Sequence, residues 1–327
     1  MWTDGCRRYF LCILLLSSCN IKDTSVFLQN VIPLNGNTIE IDYFVGHPHE
    51  IVCVGSLLLF SDPYENQTLS IFDTKNNQSI GRFLATGRGP GEVIQPVRLF
   101  VTSDNKLCVY QPNGQCLSIF SVPEMIEQDK ISFNNMSNQI RKTKNHYIGI
   151  GNYENGRFMI FDHLGNPILN FGKYPFRGKD MDNLSRLIIY QGHICANPFG
   201  DYFVMGSEFC DNLEFYKVEN NSGVLLKKYE TFDANVQFVN QRLHIDDKTF
   251  FAYRWIYGTE KYCYMLYSGK SNNGNKKKHI IVFDWLGNHI KTYKSDVNII
   301  TFCVDESDET LFGVVLKDEY EIMSFKL

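Results

Sequence analysis

The sequence predicts an all-β fold, a six-bladed β-propeller made of four-stranded antiparallel blades. Three observations predict it. Short apolar or alternating runs bounded by Gly, Asn, Asp and Pro recur along the chain, while long helical periodicity is almost absent. One strand-and-turn motif returns six times. The 327 residues suit one large all-β domain, and the strand-favouring residues Phe and Tyr number 25 and 18.

The returning motif is a strand that ends in an aromatic residue, often followed by Asp and a polar turn. Its six copies cover residues 69–73, 117–121, 158–162, 213–216, 280–284 and 321–325. Two copies are close to each other, Ile160–Asn166 and Val282–Asn288. Each of them contains Gly-Asn, a pair that supplies the positive-φ residues of a tight hairpin. Six copies imply six structural units.

Each unit is larger than its motif. Around the second copy, the pattern predicts four strands: Arg98–Thr102, Lys106–Tyr110, Cys116–Ser121 and Lys130–Phe133. Four antiparallel strands per repeat are typical of propeller blades. The six blades are predicted to start near Glu50, Pro96, Gln139, Leu187, Lys248 and Ile299. A pair of β-sandwich domains is the alternative, but the regular return of the motif argues against it.

The last unit predicts how the ring closes. It offers three strands, Ile299–Val304, Leu311–Leu316 and Tyr320–Leu327. We expect the strand-like run Thr38–Val45 to supply the missing outer strand, which would remove exposed sheet edges. The predicted organisation is a leader over residues 1–19, a tether over 20–37 and the propeller over 38–327.

The leader has the features of a bacterial lipoprotein signal peptide. Arg7 and Arg8 precede the uncharged run Tyr9–Leu16, which is too short to span a bilayer as a helix. The ending Leu-Ser-Ser-Cys19 resembles a lipobox, in which the cysteine receives a diacylglyceryl group and becomes the first mature residue. An ordinary secretory signal with a chance cysteine is the alternative. A lipid anchor places the protein in the cell envelope, and Asn20 favours the outer membrane over the inner, because Asp there favours inner-membrane retention.

Composition and spacing argue against several kinds of site. The formal net charge is −4, from 32 basic and 36 acidic residues, so no nucleic-acid partner is expected. None of the ten cysteines forms a Cys-x-x-Cys pair, and we predict no metal and no cofactor. The seven cysteines after Cys19 are expected to be buried small apolar residues. His47-Pro48-His49 is predicted to lead into blade one, Asp180–Asn183 to form a solvated loop, and Lys276–Lys278 to form a hairpin tip.

A glycine-rich segment follows blade one and consists of Gly87, Arg88, Gly89, Pro90, Gly91 and Glu92. A phosphate-binding loop would need a following Lys and a helix, but a strand comes next and Pro90 lacks an N–H donor. We therefore interpret the segment as a tight turn between blades, in which Glu92 accepts hydrogen bonds from backbone N–H groups.

The innermost strand of each blade lines the central channel, so polar residues near its start are the best candidates for binding. These candidates are Arg98, Arg141, Tyr190, His193, Arg254 and Trp255. Arginine could hold a carboxylate or phosphate with two hydrogen bonds, while Tyr190 and Trp255 could stack against a sugar or pack against a peptide. Alternatively, these side chains pair with neighbouring blades or fill the channel.

Three segments resemble the TolB-like six-bladed propeller lipoproteins of gut-type anaerobic bacteria. They are Ala85–Glu92, Tyr264–Gly269 and Val282–Asn288. Because they are spread over the chain, the resemblance covers nearly all of the mature protein. It implies the propeller fold and does not specify a function.

Two functions remain open on the sequence alone. The first is a membrane-anchored binding or scaffold module, which engages an envelope protein, a peptide or a glycan through one propeller face. The second is a propeller enzyme, a lyase or hydrolase that acts on a glycan or peptide. No Gly-x-Ser-x-Gly nucleophile elbow is present, and no catalytic residue is assigned. Paired carboxylates at the channel would favour the enzyme, and a cationic channel would favour the binding module.

Overall fold

The computed structural model describes residues 24–64, 66–89, 91–154, 156–175, 181–240, 242–271 and 278–327. Within them, six sheets of four antiparallel strands form the six-bladed propeller that the sequence predicts, and the sheet of blade five has a fifth, parallel strand at its outer edge. Cys19, Pro90, Asp180, Lys276 and Lys277 lie outside the described residues. None of the described helices is long and apolar enough to span a bilayer.

Every blade has four strands, which run from the inner to the outer strand for blades one to five. Blade one consists of Glu50–Val54, Leu57–Tyr64, Gln67–Asp73 and Gln78–Ala85, and blade two of Arg98–Val101, Leu107–Gln111, Cys116–Phe120 and Glu127–Ser132. Blade three consists of Ser137–Lys142, Tyr147–Gly151, Phe158–Phe161 and Pro167–Phe171, and blade four of Gly192–Ala196, Tyr202–Ser207, Asn212–Glu219 and Ser222–Glu230. Blade five consists of Phe251–Gly258, Tyr262–Ser271, His279–Asp284 and His289–Ser295. Blade six takes Ile299–Val304, Thr310–Leu316 and Tyr320–Lys326 from the C-terminal end.

The N-terminal segment closes the ring, as expected, but through different residues. Gly36–Ile39 is the outer strand of blade six and pairs antiparallel with Tyr320–Lys326, whereas residues 40–45 form no strand. A second strand, Val31–Leu34, pairs parallel with the outer strand of blade five. The tether predicted over 20–37 therefore needs correction, because residues 31–34 and 36–37 belong to the propeller. The close approach selects glycine at Gly36, where a Cβ would lie 2.4 Å from the ring of Phe325.

Blade four begins later than the sequence predicts. Asn183–Ile189 is a short helix, and Asp182 caps its start by accepting a hydrogen bond from the Ser185 N–H at 2.9 Å. Leu187 therefore lies in a helix, and the inner strand starts at Gly192. A hairpin of Gln237–Val239 and Arg242–His244 precedes blade five, whose inner strand starts at Phe251 rather than Lys248. The 3-10 helix Thr24–Leu28 precedes the first strand.

The apolar core lies between neighbouring blades. Between blades three and four, for example, Phe158 packs edge-on against Phe203 and Tyr216, whose rings stack at 4.8 Å. All seven described cysteines are free, and six of them are buried, which agrees with the predicted role as small apolar residues. Cys195 and Cys210 are both buried, and no disulfide bond joins them.

The Asp-x-x-Gly-Asn turns of blades three and five are built alike. The carboxylate of Asp162 accepts hydrogen bonds from the N–H groups of Leu164 and Asn166 at 2.9 and 2.8 Å. Asp284 accepts the matching bonds from Leu286 and Asn288. Only the glycines have positive φ, 85° at Gly165 and 79° at Gly287. The asparagine therefore contributes its hydrogen bonds to Asp, and not the left-handed conformation that the sequence pattern predicts.

Candidate binding site in the central channel

The hairpin register makes the six inner strands directly comparable. In each blade one inner-strand residue pairs with an equivalent residue of the second strand: Cys53 with Leu58, Val101 with Leu107, Lys142 with Tyr147, Ala196 with Phe203, Gly258 with Cys263 and Val304 with Leu311. The residue three places earlier defines what we call the first ring. The first ring consists of Glu50, Arg98, Gln139, His193, Trp255 and Thr301. Three of these six are among the candidates chosen from sequence.

In blades one, three and five, the first-ring side chain forms hydrogen bonds with backbone groups in the inner strand of the following blade. The Glu50 carboxylate accepts a hydrogen bond from the Leu99 N–H at 3.3 Å. The Gln139 amide donates to Gly192 O at 2.7 Å and accepts from the Ile194 N–H at 3.4 Å. The Trp255 indole donates to Phe302 O at 2.8 Å. These bonds satisfy backbone groups at the inner edge of the sheets, so Gln139 and Trp255 hold blades together.

The three candidate arginines are paired with carboxylates, but unequally. Arg98 lies 2.9 Å from the buried Glu50, and Arg141 lies 3.7 Å from the other oxygen of the same carboxylate. Arg254 pairs with Glu208 at 2.5 Å and covers the ring of Phe251. Two guanidinium groups thus share one carboxylate at Glu50, which leaves a local excess of positive charge.

The lowered pKa of His193 reflects this excess of positive charge. Burial, followed by the charges of Arg98, Arg254 and Arg141, lowers its pKa from 6.5 to about 3. All three arginines therefore lie close enough to His193 to lower its pKa, although they belong to different blades. The imidazole is neutral at physiological pH, and its ring lies 5.1 Å from the Trp255 ring.

Tyr190 does not lie in the inner strand. It follows the helix Asn183–Ile189 and is buried among Ile189, Phe209 and Cys210. Its hydroxyl donates to Asp233 at 3.0 Å, and its backbone oxygen accepts from the buried Arg157 at 3.0 Å. The structure therefore separates Tyr190 from the other candidates.

A cavity of about 230 Å³ lies in the channel, and the inner strands of all six blades line it. Apart from Trp255 of the first ring, its walls come from inner-strand residues one to three places after the first ring and from the turns that follow, so it lies towards the C-terminal ends of the inner strands. Of the six sequence candidates, only Arg141 and Trp255 line it. Sequence reasoning missed further lining residues that include Lys142, Tyr257, Glu260 and Glu306. Aligning the six units on their hairpins could have found the first two, because Tyr257 occupies the place equivalent to Arg141, and Lys142 follows Arg141 on the same inner strand.

Arg141 is the arginine of the cavity lining. It is buried, and its guanidinium packs 5.6 Å from the ring of Phe100. It donates one hydrogen bond, to Ile140 O at 3.0 Å. Its ion pair with Glu50, at 3.7 Å, is longer than a hydrogen bond. A guanidinium has five N–H donors, so contacts to the described residues leave several of them for a ligand.

The Gly87–Glu92 segment forms a turn away from this cavity. The Glu92 carboxylate accepts a hydrogen bond from the Gly89 N–H at 2.6 Å, and the Glu92 N–H donates to Gly89 O at 3.1 Å. A Cβ on Gly87 would lie 1.9 Å from the Glu92 carboxylate, and Gly91 has φ +76°. The glycines therefore make room for the Glu92 side chain and for a left-handed residue. Among the described residues, no group of three or more His, Cys, Asp and Glu side chains is arranged to hold a metal ion.

Comparisons with known proteins agree with this architecture. A family model described as "TolB-like 6-blade propeller-like" matches residues 29–307. A Bacteroides fragilis structure, described as that of an exported protein, superposes with a TM-score of 0.57 at 13% identity, covering 89% of this chain and 94% of that one. Hydrazine synthase of Kuenenia stuttgartiensis superposes with a TM-score of 0.51 at 10% identity, covering 88% and 97%. No curated protein matches the sequence significantly. At these identities the structural likeness concerns the fold alone.

Proposed function

Because the chain belongs to the TolB-like six-bladed propeller family, we propose that it is a membrane-anchored binding module of the cell envelope that holds an anionic group of its ligand against Arg141. The observation that carries the proposal is the buried guanidinium of Arg141 in a cavity that all six blades line. The ligand group is a carboxylate, such as a peptide C-terminus or an acidic sugar.

The local charge supports an anion. Glu50 already pairs with Arg98 at 2.9 Å, so it does not fully compensate a second guanidinium. The cavity lining also holds one further cation, Lys142, and two carboxylates, Glu260 and Glu306, which lie after the inner strands of blades five and six, so the excess positive charge is confined to the surroundings of Arg141. Apolar walls, which include Leu99, Phe100 and Ile256, strengthen any ion pair that forms between them by lowering the local dielectric constant. The cavity is smaller than sites for drug-sized ligands, so it suits one terminal residue or a small acid.

The envelope location rests on separate support. The leader ends in the lipobox-like Leu-Ser-Ser-Cys19, and the Bacteroides fragilis neighbour is described as exported. In the proposed arrangement Cys19 carries the lipid, and the outer membrane is favoured over the inner. Mass spectrometry of the mature N-terminus tests the anchor, and Cys19→Ala should move the protein out of the membrane fraction. An unacylated mature chain that begins at another residue would contradict it.

The anion proposal is tested with matched acids and neutral analogues. N-acetyl-leucine is compared with N-acetyl-leucinamide, and glucuronate with glucose, by calorimetry on the purified protein. At least one acid should bind while its neutral counterpart does not. Arg141→Gln should weaken that binding about tenfold to a hundredfold, because a charged hydrogen bond contributes about 1.5–3 kcal/mol. Arg254→Gln is the control, since Arg254 does not line the cavity and pairs with Glu208. Acids that bind equally well to the Arg141 variant would refute the assignment.

One observation favours the enzyme as a second candidate. Glu260 and Glu306 both line the cavity, and two carboxylates are what a glycan or peptide hydrolase would use. The Glu306 carboxylate accepts a hydrogen bond from the Gly55 N–H at 3.2 Å, which gives it a structural role as well. If cleavage of a glycan or peptide is detected and is lost in both Glu260→Gln and Glu306→Gln, the enzyme replaces the binding module.

A further inference from the structure

The N-terminal segment packs where the outer strands of blades four and five meet. The ring of Phe27 lies 5.2 Å from Tyr229 of blade four, and 5.2 and 4.7 Å from Phe283 and His289 of blade five. Phe27 is buried in this junction. The start of the described chain is therefore fixed to the circumference of the propeller, at a distance from both channel mouths.

Exposed apolar side chains surround this junction and define what we call the apolar rim. The rim consists of Val26, Val224, Leu226, Leu286 and Ile290, whose exposed fractions range from 38% to 57%. Val26 and Ile290 adjoin Phe27 and His289, which are in contact. Single exposed apolar residues are ordinary, but five around one junction mark an interaction surface.

The rim residues of the two blades are close in space. Lys227 directly follows the Val224–Leu226 run and donates a hydrogen bond to the side chain of Asn288 at 2.9 Å. Asn288 lies in the turn that carries Leu286. Tyr229 donates to Gly287 O of the same turn at 2.7 Å. The apolar side chains of blades four and five therefore form one surface.

The charges around the rim are mainly positive. On the faces that meet at the junction, the two outer strands carry two lysines, Lys227 and Lys294, whereas Lys228 and Lys291 lie on the opposite faces. The nearby carboxylate of Asp284 accepts hydrogen bonds within its own turn. Apolar residues bordered by lysines suit the boundary between lipid headgroups and acyl chains, where lysines reach anionic headgroups.

We propose that the apolar rim lies on the lipid surface, so that the propeller stands on its edge. This inference rests on the proposed lipid anchor. Cys19 and Thr24 are five residues apart, and even a fully extended chain of that length spans only about 17 Å. An acyl chain on Cys19 therefore keeps the junction at Phe27 close to the headgroups. With its circumference on the bilayer, the channel axis runs along the membrane plane, and neither mouth is covered by lipid.

The proposal is tested on the unacylated chain that begins at Asn20, with vesicles of phosphatidylethanolamine and phosphatidylglycerol. Cosedimentation should be weak but measurable, and raised salt or phosphatidylcholine vesicles should reduce it. The triple variant Val224→Ser, Leu226→Ser, Ile290→Ser should lower the partition coefficient about tenfold, because burying apolar side chains drives interfacial binding. The control is Ile80→Ser, Ile126→Ser, Leu164→Ser, which removes three apolar residues outside the rim whose exposed fractions are 42% to 63%.

The outcomes separate the rim from the anchor. If the triple variant partitions like the wild type, the rim does not contact lipid, whatever mass spectrometry shows at Cys19. If the N-terminus is unacylated but the rim variant loses vesicle binding, lipid contact by the rim is supported and acylation of Cys19 is refuted. A change in oligomeric state without vesicles would assign the surface to a second copy of the chain and overturn the proposal. Should the triple variant not fold, Lys227→Gln with Lys294→Gln must lower both vesicle binding and its salt dependence.

Discussion

Lowering the pH should destabilise the fold through His193, and the size of the effect can be worked out. Burial and the charges of Arg98, Arg254 and Arg141 lower the pKa of His193 to about 3, against 6.5 for an ordinary histidine. The unfolded chain therefore binds a proton between pH 6.5 and 3 that the folded chain does not bind. The stability is complete above about pH 7 and is lost as the pH falls towards 3.

From pH 7.5 to pH 5, proton uptake by an unfolded histidine corresponds to about 2 kcal/mol. The value hardly depends on the folded pKa, because any pKa below about 4 leaves the folded imidazole neutral at pH 5. For a domain of this size, about 2 kcal/mol lowers the melting temperature by about 2–4 °C.

The assay is urea unfolding at pH 7.5 and pH 5 of the wild type, His193→Gln and His163→Gln. Burial also lowers the pKa values of His49, His279 and His289, so the wild type should lose more than the share of His193. The His193→Gln variant should lose about 2 kcal/mol less than the wild type between the two pH values. His163 is exposed, and its variant should follow the wild type. An identical pH dependence in wild type and His193→Gln would show that burial and the arginines do not hold the imidazole neutral.

Two further predictions concern the architecture. Gly87→Ala should lower the free energy of unfolding by about 1 kcal/mol, because its Cβ would lie 1.9 Å from the Glu92 carboxylate and would displace that side chain from its hydrogen bond with the Gly89 N–H, whereas Gly114→Ala, whose nearest neighbour is 3.4 Å away, should change it by less than about 0.5 kcal/mol; equal effects in urea unfolding would contradict the turn assignment. A chain that begins at residue 40 should have a free energy of unfolding more than about 3 kcal/mol below that of a chain that begins at residue 24, because it lacks both N-terminal strands and the buried Leu34. Cooperative melting of both chains at the same temperature would disprove closure of the ring by that segment.

The sequence predicts the blades well because each blade is specified locally. Period-two apolar runs, turn residues and the Asp162 and Asp284 motifs act within one hairpin or one blade, and no knowledge of the ring is needed to recognise them. The errors occur where a different interaction decides the structure. The helix Asn183–Ile189 is too short for a clear periodic signal, and the closing strand at Gly36–Ile39 is fixed by packing against Phe325, almost the whole chain length away.

The candidate site was only partly predictable for the same reason. The arginines of blades two and three could be identified as channel residues, but their shared partner Glu50 belongs to blade one. Which first-ring side chains meet depends on the curvature of the ring, which no single repeat encodes. The cavity likewise requires residues from all six blades, and its position towards the strand ends follows from the filling of the first ring by Trp255 and its neighbours.

The unequal pairing of Glu50 gives the channel a way to bind an anion at little cost to the fold. Moving Arg141 towards a ligand would stretch only the longer of two ion pairs, at 3.7 Å, and Glu50 would keep Arg98 at 2.9 Å together with the Leu99 N–H at 3.3 Å. The buried carboxylate therefore retains partners in either state, which avoids the penalty of several kcal/mol for an unpaired buried charge. Arg254 has no such freedom, because Glu208 and Phe251 hold it. Among the three arginines, Arg141 is thus the one whose charge can be transferred to a ligand while the six-bladed ring stays closed.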